Sequence, residues 1–176
     1  MNPNQSLSFR IIPLLASALL SLQIGVAEAL PTDKDQPTHI SADSASFDQK
    51  QGLAIYTGTV KLTQGTLEIT ADKVTLRTGS DQKVETVVAE GAPAHYQQQP
   101  ELSKPIIHAE ASTITYTVSK EHLTLEKNAY VEQNGTTTKG GRVDYDTKSS
   151  TVKALGAGNE SGRVEFVIPP QTDKKD

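Results

Sequence analysis

From Tyr56 to Leu76 the chain reads YTGTVKLTQGTLEITADKVTL, and its apolar side chains recur at every second residue. Val60 and Leu62 flank Lys61, Leu67 and Ile69 flank Glu68, and Val74 and Leu76 flank Thr75. A period of two puts neighbours on opposite faces of a strand, whereas a helix would scatter them around its axis. Turn signals recur at short intervals: Lys50-Gln51-Gly52, Gln64-Gly65, Thr78-Gly79-Ser80-Asp81, Glu90-Gly91, Asn134-Gly135, Lys148-Ser149 and Gly156-Ala157-Gly158-Asn159. Short alternating runs rich in Thr, Val, Ile and Tyr, closed by such turns, predict an all-β, antiparallel domain. No segment carries a 3.6-residue period, so any helix is a short turn near the N-terminus.

The alternation assigns faces. Ala54, Tyr56, Val60 and Leu62 share parity, as do Leu67, Ile69 and Ala71. Val74 and Leu76 fall on the other parity, so a bulge or corner is expected near Asp72-Lys73. Ile114, Tyr116 and Val118 form a further apolar face, with Leu123, Leu125, Val143 and Tyr145. Lys61, Glu68, Thr70, Thr75, Thr113, Thr115 and Thr124 alternate with them and face water. The chain also repeats weakly. At an offset of 69, Thr63-Gln64 meets Glu132-Gln133 and Lys73-Val74 meets Arg142-Val143. Upstream the best match has an offset of 67, with Ile40 against Ile107 and Phe47 against Ile114. Two copies of about 70 residues imply a stacked β architecture.

Residues 1–29 read as a cleaved signal peptide: Arg10, an apolar run from Ile11 to Val26, then Ala27-Glu28-Ala29 as a small-residue cleavage site. The run is broken by Pro13, Gln23 and Gly25 and is short for a membrane span. Residues 30–37 form a polar leader, 38–168 the β domain, and 169–176 a flexible, charged tail. Export without any cysteine leaves no disulfide and no thiolate chemistry. A formal charge of −4 argues against nucleic acid as a partner. Only 29 of the 147 residues from Leu30 onward are Leu, Ile, Val or Phe. That supply suits a thin apolar layer better than a thick core.

Chemistry is sparse. His39, His95, His108 and His122 show no zinc-type spacing, and His108-Ala109-Glu110 offers two ligands where a site needs more. Asp43, Asp48, Glu68, Asp72, Glu110, Asp144 and Asp146 alternate with inward residues or sit at turns, so a carboxylate pair for glycoside hydrolysis is not expected. There is no G-x-S-x-G and no Gly-rich loop opening a helix. No catalytic residue, metal site or cofactor is assigned.

A set of short motifs carries a likeness. Asp35-Gln36-Pro37-Thr38-His39-Ile40, Ala42-Asp43, Tyr56-Thr57-Gly58-Thr59-Val60, Thr63-Gln64-Gly65-Thr66 and Ala71-Asp72-Lys73-Val74 follow in order. Gly91-Ala92-Pro93-Ala94, Ala111-Ser112 with Tyr116, and Asn128-Ala129-Tyr130-Val131-Glu132-Gln133 continue the pattern in the second half. In order and spacing these resemble the OstA-like family, over roughly Asp35 to Ile168.

The resemblance implies an open, twisted antiparallel β-jellyroll with stacked V-shaped layers. It implies a periplasmic protein that binds the lipid A acyl chains of lipopolysaccharide and bridges inner and outer membranes in head-to-tail stacks. Its implied partners are further copies of itself and the LptC-like (inner-membrane) and LptD-like (outer-membrane) jellyroll domains. The expected groove is lined by Thr38, Ile40, Tyr56, Val60, Leu62, Leu67, Ile69, Tyr96, Tyr116 and Val118. Of these, Thr38, Tyr96, Tyr116 and Val118 match lipid-contacting positions of the family, and Thr38 is polar where a larger apolar residue is usual. The expected assembly edges are Thr38, Ile40 and Ala42 at one end and Val164, Phe166 and Ile168 at the other. The alternative is an exported assembly module that binds protein partners and carries no lipid.

Overall fold

In the computed structural model, which describes residues 33–157 and 162–170, the alternating runs are strands. They are β1 (His39–Ser41), β2 (Ser44–Asp48), β3 (Leu53–Gln64), β4 (Leu67–Thr78), β5 (Val84–Gln98), β6 (Ile107–Thr117), β7 (His122–Gln133), β8 (Thr136–Asp146), β9 (Thr151–Leu155) and β10 (Glu165–Val167). All pair antiparallel in one sheet ordered β1-β3-β4-β5-β6-β7-β8-β10, with β2 also on β3 and β9 also on β8. The sheet does not close, because β1 and β10 do not pair with each other. The expected signal segment, Leu30–Thr32 of the leader and residues 171–176 lie outside the described residues.

A line of register shifts crosses the sheet. It falls between Thr57 and Val60, Thr70 and Lys73, Glu90 and Ala94, Glu110 and Thr113, and Glu126 and Ala129. Asp72 lies alone opposite Gly58 and Thr59, the two-against-one arrangement of a bulge. This explains the change of parity on β4 at Asp72-Lys73: each strand bends there and must re-aim its apolar side inward. Left-handed backbone supplies the bend at Gly58 and Thr59 on β3, and at Lys127 and Asn128 on β7. Gly58 is required for a second reason, since a Cβ there would fall on the Asp43 carboxylate.

The crease divides the sheet into two facing limbs. The first contains β2, β9 and the strand segments paired through residues 53–57 and 142–146. The second contains β1, β10 and the segments paired through 61–63 and 137–139. Apolar residues of both limbs merge into one core, with Leu76, Ile114, Leu123 and Tyr145 from the first and Leu62, Ile69, Tyr96 and Val131 from the second.

The internal repeat holds in three dimensions, with a correction. Ile40 faces Leu62, and 69 residues on Ala109 faces Val131. Phe47 faces Ala54, and 69 residues on Tyr116 faces Leu123. The offset is therefore 69 in this half as well, and the expected 67 is wrong. Matching Ile40 to Ile107 aligned like side chains, but strand pairing equates Ile40 with Ala109. Thus β1 and β2 together are the counterpart of β6, broken at the crease.

Two tight turns close equivalent hairpins. Gly65 (φ 59°) opens the β3–β4 turn, and Asn134 and Gly135 (φ 52° and 77°) make the β7–β8 turn. Positive φ matches the right-handed twist of the flanking strands.

Candidate functional site

The interior between the limbs grades in size. Next to the crease stand Ala71, Ala89, Ala94, Ala111 and Ala129, together with Val60 and Val74. Farther out come Leu67, Ile69, Tyr96, Ile107, Tyr116, Leu123, Val131 and Tyr145, filling the widening gap. Small-to-large grading of this kind fits side chains to a taper. The Tyr96 and Tyr116 rings meet across the gap at 5.8 Å, tilted by 56°.

Of the ten expected lining residues, Val60, Leu62, Leu67, Ile69, Tyr96 and Tyr116 are buried. Ile40, Tyr56 and Val118 are half-buried and pack on the same core. Thr38 is exposed, one residue before strand pairing begins at His39, opposite Thr63. Val118 does not continue the β6 face as its parity suggested, because β6 ends at Thr117 and Val118 opens a short 3-10 turn, Val118–Lys120. The interior is filled by its own side chains, with Tyr96 2 % and Tyr116 5 % exposed. Burial raises the phenol pKa of both, Tyr96 well above its usual value and Tyr116 to about 12. It raises that of Tyr145 too.

The mouth opposite the crease is polar. Three alternate strands of the second limb end there in glutamine: Gln64, Gln98 and Gln133. Tyr96 donates its phenol hydrogen to Gln98, and Tyr145 donates to Gln133 Oε1 at 2.7 Å. Gln64 Nε2 donates to the Gln36 carbonyl, and Gln133 Nε2 to that of Pro105. These amides let phenols inside a low-dielectric interior keep partners. Glutamine at strand ends carries no periodic signal, so the row was not legible in the sequence.

Two open sheet ends flank the interior. At one, β1 and β2 form the edge, and at the other β9 and β10. Ile40 and Ala42 are half-buried at the first end, and Phe166 and Ile168 are exposed at the second, beside half-buried Val164. Phe47 on β2 (67 % exposed) and Leu155 on β9 (60 %) are also at these edges, and parity reasoning missed them. Both are single apolar residues that face water, which only strand order reveals.

Several charged residues pair on the outer surface. Arg142 pairs with Asp144 at 2.9 Å and Glu126 at 2.8 Å. Its hydrogen bond keeps the Asp144 carboxyl below the usual carboxylate range. His95 faces Glu110 at 3.4 Å. Asp48 caps its turn by accepting from the Lys50 and Gln51 amides. No cluster of three His, Cys, Asp or Glu suited to a metal occurs among the described residues.

A family model described as LptA/(LptD N-terminal domain) LPS transport protein matches residues 39–151. The chain is 36% identical over 168 residues to the lipopolysaccharide export system protein LptH of Pseudomonas aeruginosa, covering 91% of this chain and 94% of that one. It is 36% identical over 157 residues to LptA of Escherichia coli K12, covering 89% and 83%. The crystal structure of LptH, described as the periplasmic component of a lipopolysaccharide transport device, superposes with a TM-score of 0.72 at 37% identity, over 80% of this chain and all of that one.

Proposed function

The chain belongs to the LptA/LptD N-terminal-domain family of lipopolysaccharide transport proteins, and on that premise we propose that it carries lipopolysaccharide between its two limbs. Acyl chains lie along the apolar interior, and the sugars stay at the polar mouth. The observation that carries this reading is a continuous apolar interior beneath a mouth lined by glutamine, since an amphiphile needs both. The lining comprises Ile40, Tyr56, Val60, Leu62, Leu67, Ile69, Tyr96, Tyr116 and Val118. The site of action is the periplasm, between an LptC-like domain at the inner membrane and an LptD-like domain at the outer membrane, and transport needs no catalysis.

The energetics suit hand-off. Each acyl methylene removed from water contributes about 0.8 kcal/mol, so ten contribute ~8 kcal/mol. The limbs must part to receive them, and contacts such as Tyr96 on Tyr116 are given up in exchange. Binding is then a difference of two apolar packings and remains reversible. Protomers join head to tail by strand addition at the β1/β2 and β9/β10 edges, a contact that does not close and gives open chains.

Photo-crosslinking residues at Tyr56 and Tyr116 are expected to capture lipopolysaccharide, while one at outward Thr115 is not. Equal capture at all three positions would overturn the interior assignment. A second reading, an assembly module without lipid, draws on the self-packed interior. Light scattering against protein concentration, with and without lipopolysaccharide, separates the two.

A further inference from the structure

The mouth is crossed by a piece of chain that belongs to neither limb. Asp33–Asp35 forms a 3-10 turn just before β1. Asp33 Oδ1 accepts from the Thr66 amide at 2.6 Å, and Asp33 Oδ2 accepts from Thr66 Oγ1 at 2.7 Å and Gln98 Nε2 at 2.8 Å. These bonds hold the turn on the second limb. The next residue, Lys34, reaches over to the first limb and pairs with Glu121, after the short turn that follows β6. Beneath the crossing lies a cavity of about 280 Å³ whose walls include Asp33, Lys34, Gln98, Tyr116 and Glu121. Gln98 and Tyr116, which border the packed interior, form part of its wall.

We infer that residues 33–36 are a strap that holds the mouth shut in the empty protein and must swing aside before an acyl chain can pass Tyr116. The inference rests on the lipid-carrying reading and adds to it the step that controls admission. Three features support a movable strap. Asp33 and Gln36 hold it on the second limb through side-chain acceptors and the Gln36 carbonyl, and it belongs to no strand. Lys34 reaches the first limb through a partly exposed ion pair, the kind of contact that holds weakly in water. It also occupies the polar amide of Gln98, which the head of an amphiphile would need. Displacing Asp33 frees that amide at the moment it becomes useful, so the strap and the ligand compete for one donor.

The chain has no cysteine, so a pair can be introduced cleanly. Lys34→Cys with Glu121→Cys, joined by a short reducible bis-thiosulfonate linker, ties the strap to the first limb. The first probe is N-phenylnaphthylamine, an apolar dye that brightens on leaving water. Its uptake is expected to fall about tenfold in the linked protein and to return on reduction. Asp33→Ala, which releases the second-limb anchor, is expected to speed uptake several-fold over the unmodified chain. Equal dye uptake by the linked and reduced forms overturns the strap, as does an Asp33→Ala variant no faster than the unmodified chain. The second probe is lipopolysaccharide with the unmodified protein. Dye uptake controlled by the linker, without any lipopolysaccharide uptake, keeps the strap and overturns the lipid-carrying reading.

Discussion

Small side chains, most of them alanine, line the crease. Ala109 and Ala111 are at most 1 % exposed, on the strand segment that runs from the mouth into the crease. Ala111→Leu is expected to destabilise by about 1–3 kcal/mol through overpacking. Ile69→Ala is expected to lose about 2–5 kcal/mol by leaving a cavity. Urea unfolding of the two variants checks both, and a neutral Ala111→Leu would mean that the limbs are not closely apposed there. The three inner tyrosines make a separate prediction. Burial lifts their phenol pKa values above the unfolded value near 10, so the neutral phenols stabilise the fold fully below pH 10. That contribution is lost as pH rises through 10 toward about 12, the value for Tyr116. Tyrosinate absorbance and circular dichroism are therefore expected to change together in that window. Tyr116→Phe, which removes the proton, is expected to move the transition to higher pH.

Among the elements, the hairpins and the broken edges carry different lessons. The β7–β8 turn at Asn134-Gly135 has positive φ at both residues, a conformation that a β-branched side chain resists. Gly135→Val is expected to cost about 1–3 kcal/mol by backbone strain, since a Cβ there meets only the Pro169 ring at 3.3 Å. Thermal unfolding measures it, and a Gly135→Ala loss close to that of Gly135→Val would confirm that φ rather than bulk is responsible. The edges are built from pieces: β1 and β10 have three residues each and β2 and β9 five each. Short edge strands discourage indiscriminate pairing while leaving room for one matched partner. Hairpin positions were legible because Gly65 and Gly135 mark them. The division of each edge was not, because β1 and β2 separate only where the crease crosses the edge of the sheet, which depends on their pairing with β3.

For the whole molecule, five of the seven exposed large apolar residues among those described lie at the two open ends, Phe47 at one and Leu155, Phe166, Val167 and Ile168 at the other, while Leu102 and Ile106 lie between β5 and β6. If those ends join protomers, Phe166→Lys is expected to reduce concentration-dependent scattering while changing stability by no more than about 0.5 kcal/mol, as exposed substitutions do. Scattering unchanged by Phe166→Lys would place the contact elsewhere. The period-two pattern was sufficient for strand class, for the inward side of most strands and for the bend on β4, because alternation is a local property that each strand expresses alone. Leu62, Ile69, Tyr116 and Tyr145 could be placed inside on that ground. Which strand faces which across the gap, the uniform offset of 69, the row of Gln64, Gln98 and Gln133, and the Asp33–Lys34 crossing depend on residues tens of positions apart. Such contacts exist only once the sheet has folded on its crease. A polar residue such as Asp33 then finds its role from what the fold brings beside it, not from its neighbours in the chain.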